Sequence, residues 1–352
     1  MDSLLQGSGL HRRLLLVHTV TGGRSKEVLY QMKRIRLVEE TIAQRYGEGK
    51  MRCPTHLSIG QEAVAAAVGL ALRKDDVAVS GHRAHAHYLG KGGNLKAMIA
   101  EIYGKVTGCA RGKGGSMHLI DESVGFKGST AIVGGTVPVG VGLAYAIKVR
   151  HADQVSCIFL GDAVVEAGGF FESANFAALK QLPVLFICEN NLYSVYSPLS
   201  VRQPAGRKIH EMVAGLGIEV LHGDGNDAQF VLDTASQAVS GIRAGRGPVF
   251  IEFSTYRWRE HCGPFYDNNI GYRSEQEFEE WKQKEPIARL ERELVRKGVV
   301  TSSELEDMNR AIRLETEEAF EFAESSPFPD PEEAFTGLYA HSIGQDAGRY
   351  KG

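Results

Sequence analysis

Apolar positions recur at helical spacing in the first half of the chain and again near its C-terminal end. They do so in residues 26–48 and in SIGQEAVAAAVGLAL at 58–72, where Ser58 and Gln61 have the spacing of a capping box. Residues 275–325 are charged and also have a helical pattern. These three regions are therefore predicted to be helical.

Four short apolar runs, each ending in polar or glycine-rich residues, lie between these helical regions. They are VSCIFLGD (155–162), PVLFICEN (183–190), IEVLHGDGND (218–227) and PVFIEFSTY (248–256). Continuous apolar runs of this length are typical of buried parallel strands. Helical segments separate them, so crossover connections would place all four carboxyl ends at one edge, where ligands of such folds bind. The predicted fold class is α/β, an open and mostly parallel sheet flanked by helices, with a helical C-terminal region.

The pattern also divides the chain into three parts. Residues 1–25 are predicted to be an N-terminal extension, 26–325 one domain, and 326–352 a tail that ends in the polar stretch HSIGQDAGRYKG. No apolar stretch approaches the roughly 18 residues of a membrane span, and LLLV at 14–17 is too short for the core of a signal peptide. We expect a cytoplasmic protein without a membrane partner.

Charge and cysteine content narrow the classes of partner. The formal net charge is −3, so no overall basic field favours nucleic acid, and any recognition of phosphate must be local. The five cysteines form no CxxC pair, and their odd number argues against a disulfide framework and for a reducing compartment. They are Cys53, Cys109, Cys157, Cys188 and Cys262.

Polar residues stand at the ends of the first two predicted strands. Asp162 ends one, and Asn191 follows the next strand one crossover later. Ends of adjacent parallel strands lie roughly 5 Å apart, so a carboxylate and an amide oxygen would converge. Such oxygen ligands suit Mg²⁺ or Ca²⁺, and Mg²⁺ commonly completes its shell with water and phosphate oxygens. A diphosphate partner is therefore expected, with the N–H groups of a helix start behind Asp162 as a further phosphate contact.

A second acidic turn, GDGND at 223–227, resembles the predicted metal site but lacks its second ligand. The position that would correspond to Asn191, counted from Asp224, is Phe253 inside a predicted strand. Asp227 is predicted instead to cap the following helix.

Ordered motifs over most of the chain resemble a known family. They are HLSIGQEA, GHRAHAHYLGKGG, GCARGKGGSMHL, AIVGGTVPVGVGLAYA and LPVLFICENNLYSVYS, together with the Gly-Asp and Asn-Asn pairs of the thiamine diphosphate signature. From about residue 28 to 325 the chain is similar to the alpha subunit of the decarboxylating component of 2-oxo acid and acetoin dehydrogenase complexes. The resemblance implies the thiamine diphosphate-binding fold, with thiamine diphosphate and Mg²⁺ as cofactors.

The resemblance also implies a metal and diphosphate site. Asp162, the side chain of Asn191 and the main-chain carbonyl of Tyr193 would bind Mg²⁺, and main-chain N–H groups of Ala163 and Val164 would bind the diphosphate. Ala163 departs from the family, which has glycine there. If the turn needs a positive φ, the alanine is strained by roughly 1 kcal/mol; otherwise it only adds a methyl group.

Further contacts are implied around the rest of the cofactor. Arg83, a forked phosphate donor, would act with His82, although a surface arginine in a solvated loop is the alternative. Main-chain groups of Ala131 and Val133 would meet the cofactor, with the Val133 side chain against its aminopyrimidine. Two roles remain open for His85 and His87: they lie near the substrate channel, or backbone groups satisfy their hydrogen bonds.

Two histidines are implied to act in catalysis. His261 would contact the diphosphate near the reacting carbon, and His56 would lie near the substrate, although a packed loop residue is the alternative for His56. The family usually has HGHS around the first of these. This chain has RWREHCGP, with no serine beside His261, so regulation by phosphorylation at that position is not expected.

The predicted function is that of an alpha subunit that decarboxylates or cleaves a 2-oxo acid or acetoin-like donor and passes the acyl fragment to a lipoyl group. Its partners would be a beta subunit, in an α2β2 assembly that supplies a glutamate to the aminopyrimidine, and a lipoyl-bearing acyltransferase. One alternative is a carbon–carbon ligase with another acceptor, which the altered loop at His261 suggests. Another is a non-catalytic paralogue.

Overall fold

A sheet of six parallel strands forms the centre of the protein, whose computed structural model describes residues 21–336. The strands of this part of the chain are β1 (Val77–Ser80), β2 (Phe126–Ser129), β3 (Ser156–Gly161), β4 (Val184–Asn190), β5 (Tyr193–Ser194), β6 (Ser197–Pro198), β7 (Glu219–Asp224) and β8 (Val249–Ser254). The sheet order is β2-β1-β3-β4-β8-β7, and β5 pairs with β6 in a separate antiparallel ribbon. The predicted open parallel sheet is confirmed, and β1 and β2 are additional to the prediction.

The register of the sheet brings three strand ends to one level. Gly161 of β3 pairs with Glu189 of β4, which pairs in turn with Phe253 of β8. The residues that follow these strands therefore leave the sheet side by side at its carboxyl edge.

Helices cover both faces of the sheet. Those of the described chain are α1 (Thr21–Arg45), α2 (Glu62–Ala71), α3 (His85–Gly90), α4 (Leu95–Ile102), α5 (Thr136–Val149), α6 (Gly168–Lys180), α7 (Leu199–Arg202), α8 (Ile209–Ala214), α9 (Ala228–Arg243), α10 (Glu275–Lys282), α11 (Pro286–Arg296) and α12 (Ser302–Ser325). The last three confirm the predicted helical C-terminal region. Among residues 21–336, no helix combines the length and the apolar character needed to cross a bilayer.

Side chains of the central strands alternate between two buried clusters. In β3, Cys157 and Phe159 belong to one cluster, and Ile158 and Leu160 belong to the other. The first cluster includes side chains of α1 to α4 and α9 to α12, and the second includes those of α5, α6 and α8. Because both faces are covered, the strands are apolar throughout rather than at every second position.

The capping box predicted at the start of α2 is wrong. The N-cap residue is Gln61, and it makes no side-chain cap hydrogen bond. The backbone N–H of Ser58 donates to the Glu39 carboxylate at 2.8 Å and 2.9 Å, and the Ser58 hydroxyl has no hydrogen-bond partner in the described chain. The buried Glu62 instead accepts the backbone N–H of Gly60 at 3.0 Å. The Gln61 N–H, which the serine hydroxyl was expected to accept, donates instead to the Ser58 carbonyl at 2.8 Å.

The helix expected directly behind Asp162 begins later than predicted. Asp162–Glu166 forms a short 3-10 helix, Ala167 is extended with φ −80° and ψ 136°, and α6 starts at Gly168. The N–H groups next to Asp162 therefore belong to a tight turn, and the α-helical N-terminus lies six residues further along the chain.

Two glycines let α2 and α3 cross in backbone contact. A Cβ atom on Gly69 would collide with the carbonyl of Gly90, and a Cβ atom on Gly90 would collide with the carbonyl of Ala65. Because α3 begins shortly after His82 and Arg83, this crossing sets where those two residues lie relative to α2.

The ends of the predicted domain are only partly described. α1 begins at Thr21, inside the predicted extension, and Lys105 Nζ donates to the carbonyl of Ser326 at 2.9 Å, at the start of the predicted tail. The stretches at 14–17 and 341–352 lie outside the described residues. The three-part division of the chain therefore remains a prediction.

The second acidic turn, at 223–227 after β7, has the helix cap that its sequence predicts. The Asp227 side chain accepts the backbone N–H of Phe230 at 3.0 Å and caps α9. Arg289 pairs with both Asp224 and Asp227 at 2.6 Å. This acidic turn is thus occupied by a helix cap and a surface ion pair.

Candidate active site

A cavity opens at the carboxyl edge of the sheet and collects the predicted site residues. Its empty volume, including the open mouth, is about 990 Å³, which is within the range of small-molecule sites. All eleven predicted residues line it: His56, His82, Arg83, Ala131, Val133, Asp162, Ala163, Val164, Asn191, Tyr193 and His261. The structure thus brings together residues from six separate stretches of the chain, whose individual roles remain predictions.

The predicted metal ligands are residues of the cavity lining, and two of their side chains have defined contacts. Asp162 is 2% exposed, and burial raises the pKa of its carboxyl group while Arg202, paired with it, opposes that shift. The Asn191 amide donates to Gln61 Oε1 at 3.2 Å, and its oxygen accepts the backbone N–H of Tyr193 at 3.2 Å. The backbone N–H of Tyr193 can only donate, so it fixes which amide atom of Asn191 is the oxygen, the atom that a metal ligand must present.

The backbone between Asn191 and Tyr193 is strained. Leu192 has φ +73°, and Val195 further along the loop has φ +54°. Residues other than glycine adopt this left-handed region at a cost of order 1 kcal/mol, and such residues cluster at ligand sites. Ala163, in contrast, is not among the residues with positive φ. The alanine in place of the family glycine therefore adds only a methyl group.

Three imidazole rings of the cavity lining form a cluster. The ring centroids lie 4.6 Å apart for His56 and His82, 5.0 Å for His56 and His261, and 5.3 Å for His82 and His261. Two backbone hydrogen bonds of 2.9 Å, from Trp258 to Ile59 and from Gly263 to Thr55, align the two chain segments that carry His56 and His261.

Arg83 lies behind the imidazole cluster and joins its parts. Its guanidinium donates to the carbonyl of Leu57 at 2.5 Å and to the carbonyl of His261 at 3.3 Å. Burial, followed by the charge of Arg257, lowers the pKa of Arg83 to about 9. The alternative of an arginine in a solvated surface loop is therefore wrong.

Burial and the charge of Arg83 keep the three histidines neutral. Burial is the larger cause, and together they lower the pKa to about 2 for His56, about 4 for His82 and about 3 for His261. Nitrogen atoms of the three rings lie within 4.8 Å of one another, close enough to suggest a metal site. The positive field that disfavours a proton there also disfavours a metal cation. The cluster therefore fits an anion.

Some residues of the cavity were not predicted or were left open. His87 lines it, with its Nδ1 2.8 Å from the Ser80 hydroxyl and its Nε2 2.9 Å from Glu189, which also lines the cavity. His85 does not line it and is bonded to the Ser116 hydroxyl at 2.8 Å. Side chains, rather than backbone groups, contact both histidines, and His85 Nδ1 lies 3.3 Å from the Glu39 carboxylate.

Buried charges hold the loop that carries His261. Asp267, 3% exposed, accepts from Arg273 and Arg257, which are 5% and 2% exposed. Arg257 also donates to the carbonyl of Val195 at 3.1 Å, so this ion-pair cluster connects the loop after β8 with the loop after β4. Nothing in the local sequence predicts these contacts.

The comparisons with known proteins agree with this site. The family described as dehydrogenase E1 component matches residues 30–332. The chain belongs to this family. It is 37% identical over 308 residues to the pyruvate dehydrogenase E1 component subunit alpha of Rickettsia bellii (strain RML369-C), which covers 88% of this chain and 93% of the relative. The protein of the same name from Zymomonas mobilis is 38% identical over 314 residues, 89% of this chain and 87% of the relative.

The resemblance inferred from the motifs is confirmed. The chain is the alpha subunit of a thiamine diphosphate-dependent 2-oxo acid dehydrogenase E1 component, an oxidoreductase that uses a divalent metal ion, typically Mg²⁺. An alpha subunit implies a beta-subunit partner. The family also contains a plant protein, the chloroplastic subunit alpha-3 of Arabidopsis thaliana, 35% identical over 342 residues, 94% of this chain and 79% of that relative.

The neutral histidines predict that this E1 subunit loses stability in mild acid. In the unfolded chain these side chains have a pKa near 6.5, far above the folded values of about 2, 4 and 3. Below about pH 6.5 the unfolded chain takes up protons that the folded chain does not. The free energy of unfolding should therefore decrease as the pH is lowered below about 6.5. The decrease should be up to about 1.4 kcal/mol per pH unit for each histidine.

Melting curves of the ligand-free protein between about pH 7 and about pH 5 measure this effect. His82→Gln should flatten the dependence. The control is His151→Asn, since His151 is exposed and asparagine tolerates its φ of +53°. Equal slopes in the wild type and the His82→Gln variant would show that the cluster is not the source.

Proposed function

We propose that this chain holds the metal ion and the diphosphate of thiamine diphosphate in the cavity at the carboxyl edge, and that with a beta subunit it decarboxylates pyruvate. The observation that carries the proposal is the lining of that single cavity. It combines oxygen ligands with neutral imidazoles and a partly buried guanidinium. The relatives named as pyruvate dehydrogenase subunits support the choice of substrate.

The metal ion would be bound at the ends of β3 and β4. Asp162 supplies the charged oxygen, Asn191 the amide oxygen and Tyr193 its main-chain carbonyl. Mg²⁺ takes few protein ligands and completes its shell with phosphate oxygens and water. The strain at Leu192, directly between two of these ligands, supports a binding role for this turn.

The diphosphate would be bound by uncharged donors and one cation. His82, His261 and Arg83 present N–H groups, and the turn at Ala163 and Val164 presents backbone N–H groups. Arg83 stays protonated at neutral pH even with its pKa lowered to about 9. A buried guanidinium facing a phosphate forms strong charge-assisted hydrogen bonds.

The remaining lining would position the organic part of the cofactor and the substrate. Ala131 and Val133 lie where main-chain groups can meet the aminopyrimidine. When bound, thiamine diphosphate supplies the carbon nucleophile and the electron sink for cleavage of a bond next to a ketone. His56 also lines the cavity and would lie near the substrate.

A beta subunit would complete the site and cover an apolar face of α5 and α6. Val139, Tyr145 and Val149 of α5 are 54%, 46% and 59% exposed, and Leu179 of α6 is 73% exposed. Tyr145 contacts Phe176 across the two helices at 5.7 Å between ring centroids, so exposed apolar side chains of α5 and α6 meet there. Apolar patches of this kind mark protein interfaces. We place the subunit in an α2β2 enzyme.

The acyl acceptor and the compartment belong to the same proposal. We propose that the acyl fragment passes to a lipoyl group of a separate acyltransferase. All five cysteines are free thiols, which supports a reducing compartment, and we place the enzyme in the cytoplasm.

The test is turnover by the co-purified alpha and beta subunits. Release of CO₂ from pyruvate and from a branched-chain 2-oxo acid is compared with release of acetaldehyde from acetoin, each with and without thiamine diphosphate and Mg²⁺. The expected result is the highest kcat/KM for pyruvate and no turnover without the cofactor. Absence of turnover with every 2-oxo acid would contradict the proposal. Carbon–carbon products formed from an added aldehyde, with no acyl transfer to lipoamide, would favour the ligase alternative.

A further inference from the structure

Arg202, at the end of α7, contacts the carboxylate of Asp162. The Arg202 side chain is only 10% exposed, and its Nη2 donates to Oδ2 of Asp162. Although Asp162 lines the cavity, Arg202 does not. The guanidinium thus reaches Asp162 from behind the cavity wall and engages one of its two oxygens.

The same guanidinium makes two more contacts. Its Nη1 donates to Glu166 at 2.5 Å, and its Nε donates to the carbonyl of Ser197 at 3.0 Å. Ser197 belongs to β6, which pairs with β5, the strand that begins at Tyr193. One side chain therefore connects the turn after β3, which carries Asp162, with the ribbon after β4, which carries Tyr193.

The contact with Asp162 fixes the orientation of a nearly inaccessible carboxylate. A carboxylate held through one oxygen presents the other oxygen in a defined direction. Arg202 therefore orients the oxygen of Asp162 that remains for a metal ion.

We propose that Arg202 is a positioning residue for the metal ion, which holds the Asp162 carboxylate and keeps the ribbon that carries Tyr193 in register with it. This inference rests on the proposed function of the cavity. Groups that hydrogen-bond the ligands of a metal typically contribute about 10–100-fold to its affinity. Lysine cannot replace the arginine fully, because an ammonium group lacks the planar fork that serves three acceptors at once.

A competing role for Arg202 would change the metal affinity in the opposite direction. If the guanidinium occupied the place of the metal, Arg202 and Mg²⁺ would compete for Asp162, and removal of the side chain would tighten metal binding. The position of Arg202 behind the wall favours positioning.

The experiment is a calorimetric titration of the assembled alpha–beta enzyme with Mg²⁺ at saturating thiamine diphosphate. Arg202→Met should raise the Kd for Mg²⁺ by about 10–100-fold, and Arg202→Lys should raise it by less. The matched control is Arg207→Met, since Arg207 is exposed just after α7 and, within the described residues, its side chain donates a hydrogen bond only to Gln203, at 3.4 Å. In turnover, the KM for Mg²⁺ should rise while kcat at saturating Mg²⁺ is unchanged.

The outcomes separate this inference from the proposed function. Failure of the wild-type enzyme to bind thiamine diphosphate with Mg²⁺ would remove the proposed function and this inference with it. Wild-type binding together with an unchanged or lower Kd in both Arg202 variants would overturn the role of Arg202 alone. If Arg202→Met does not fold, Arg202→Lys decides, with ligand-free melting temperatures as the check on its structure.

Discussion

Replacement of Asp162 by alanine is expected to abolish metal-dependent binding of thiamine diphosphate. Asp162 is the only charged group among the proposed ligands, and it faces a site that must bind a diphosphate through the metal ion. Even partners of metal ligands contribute about 10–100-fold to affinity, so removal of the charged ligand should cost at least about 100-fold. Calorimetric titration of the assembled enzyme with thiamine diphosphate at several Mg²⁺ concentrations measures the loss.

The chain contains a matched control for this substitution. Asp224 also follows a glycine at the end of a parallel strand, but its side chain is 44% exposed and pairs with Arg289 at 2.6 Å. Asp224→Ala should leave cofactor affinity unchanged. Asp162→Asn, which keeps the shape of the side chain and removes only its charge, separates loss of the charged ligand from the space that alanine would leave. Unchanged affinity in the Asp162 variants would contradict the metal assignment.

The isolated alpha chain is expected to be folded and inactive. It contains the proposed diphosphate half of the site, and the glutamate expected to act on the aminopyrimidine comes from the beta subunit. Loss of a positioned acid–base group lowers a rate by about 10²–10⁴. The apolar face of α5 and α6 should also make the lone chain self-associate. Turnover and mass measured before and after addition of the beta subunit test both expectations.

A pair of surface variants tests where the beta subunit binds. Leu179→Glu, on the apolar face of α6, should prevent formation of the heterotetramer while the isolated chain stays folded. Leu314→Glu is the control, because Leu314 is an exposed leucine too, at 56%, but lies on α12. Full activity of the lone chain would refute a shared site. The internal carboxylate to examine would then be Glu189, which lines the cavity beside His87.

The sheet was predictable from the sequence to the extent that its strands are long and covered on both faces. β3, β4, β7 and β8 follow apolar runs, and their ends agree with the predictions within three residues. β1 and β2 were missed because each has only four residues, and β2 buries only Phe126 fully. Short strands such as these are stabilised mainly by pairing with a neighbouring strand. The local pattern of apolar residues carries no information about that pairing.

The candidate site was predictable where motifs lie directly at strand ends. The proximity of Asp162 and Asn191 follows from the rule that the carboxyl ends of parallel strands lie at one edge of the sheet. Arg202 was missed because its contact with Asp162 joins residues 40 positions apart through a loop of irregular conformation. The left-handed Leu192 was missed because leucine carries no preference for that conformation.

The backbone contact between Gly69 and Gly90 limits which evolutionary routes are open to this protein. A clash at a helix crossing is often relieved when the facing residue becomes smaller, so that two substitutions are tolerated together although each fails alone. Here the atoms that an added Cβ would strike are main-chain carbonyls, and the residue that faces Gly69 is itself a glycine. No second substitution can remove those atoms. Relief requires a shift of a whole helix, and a shift of α3 would displace His82 and Arg83, so compensation at this crossing would disturb the active site.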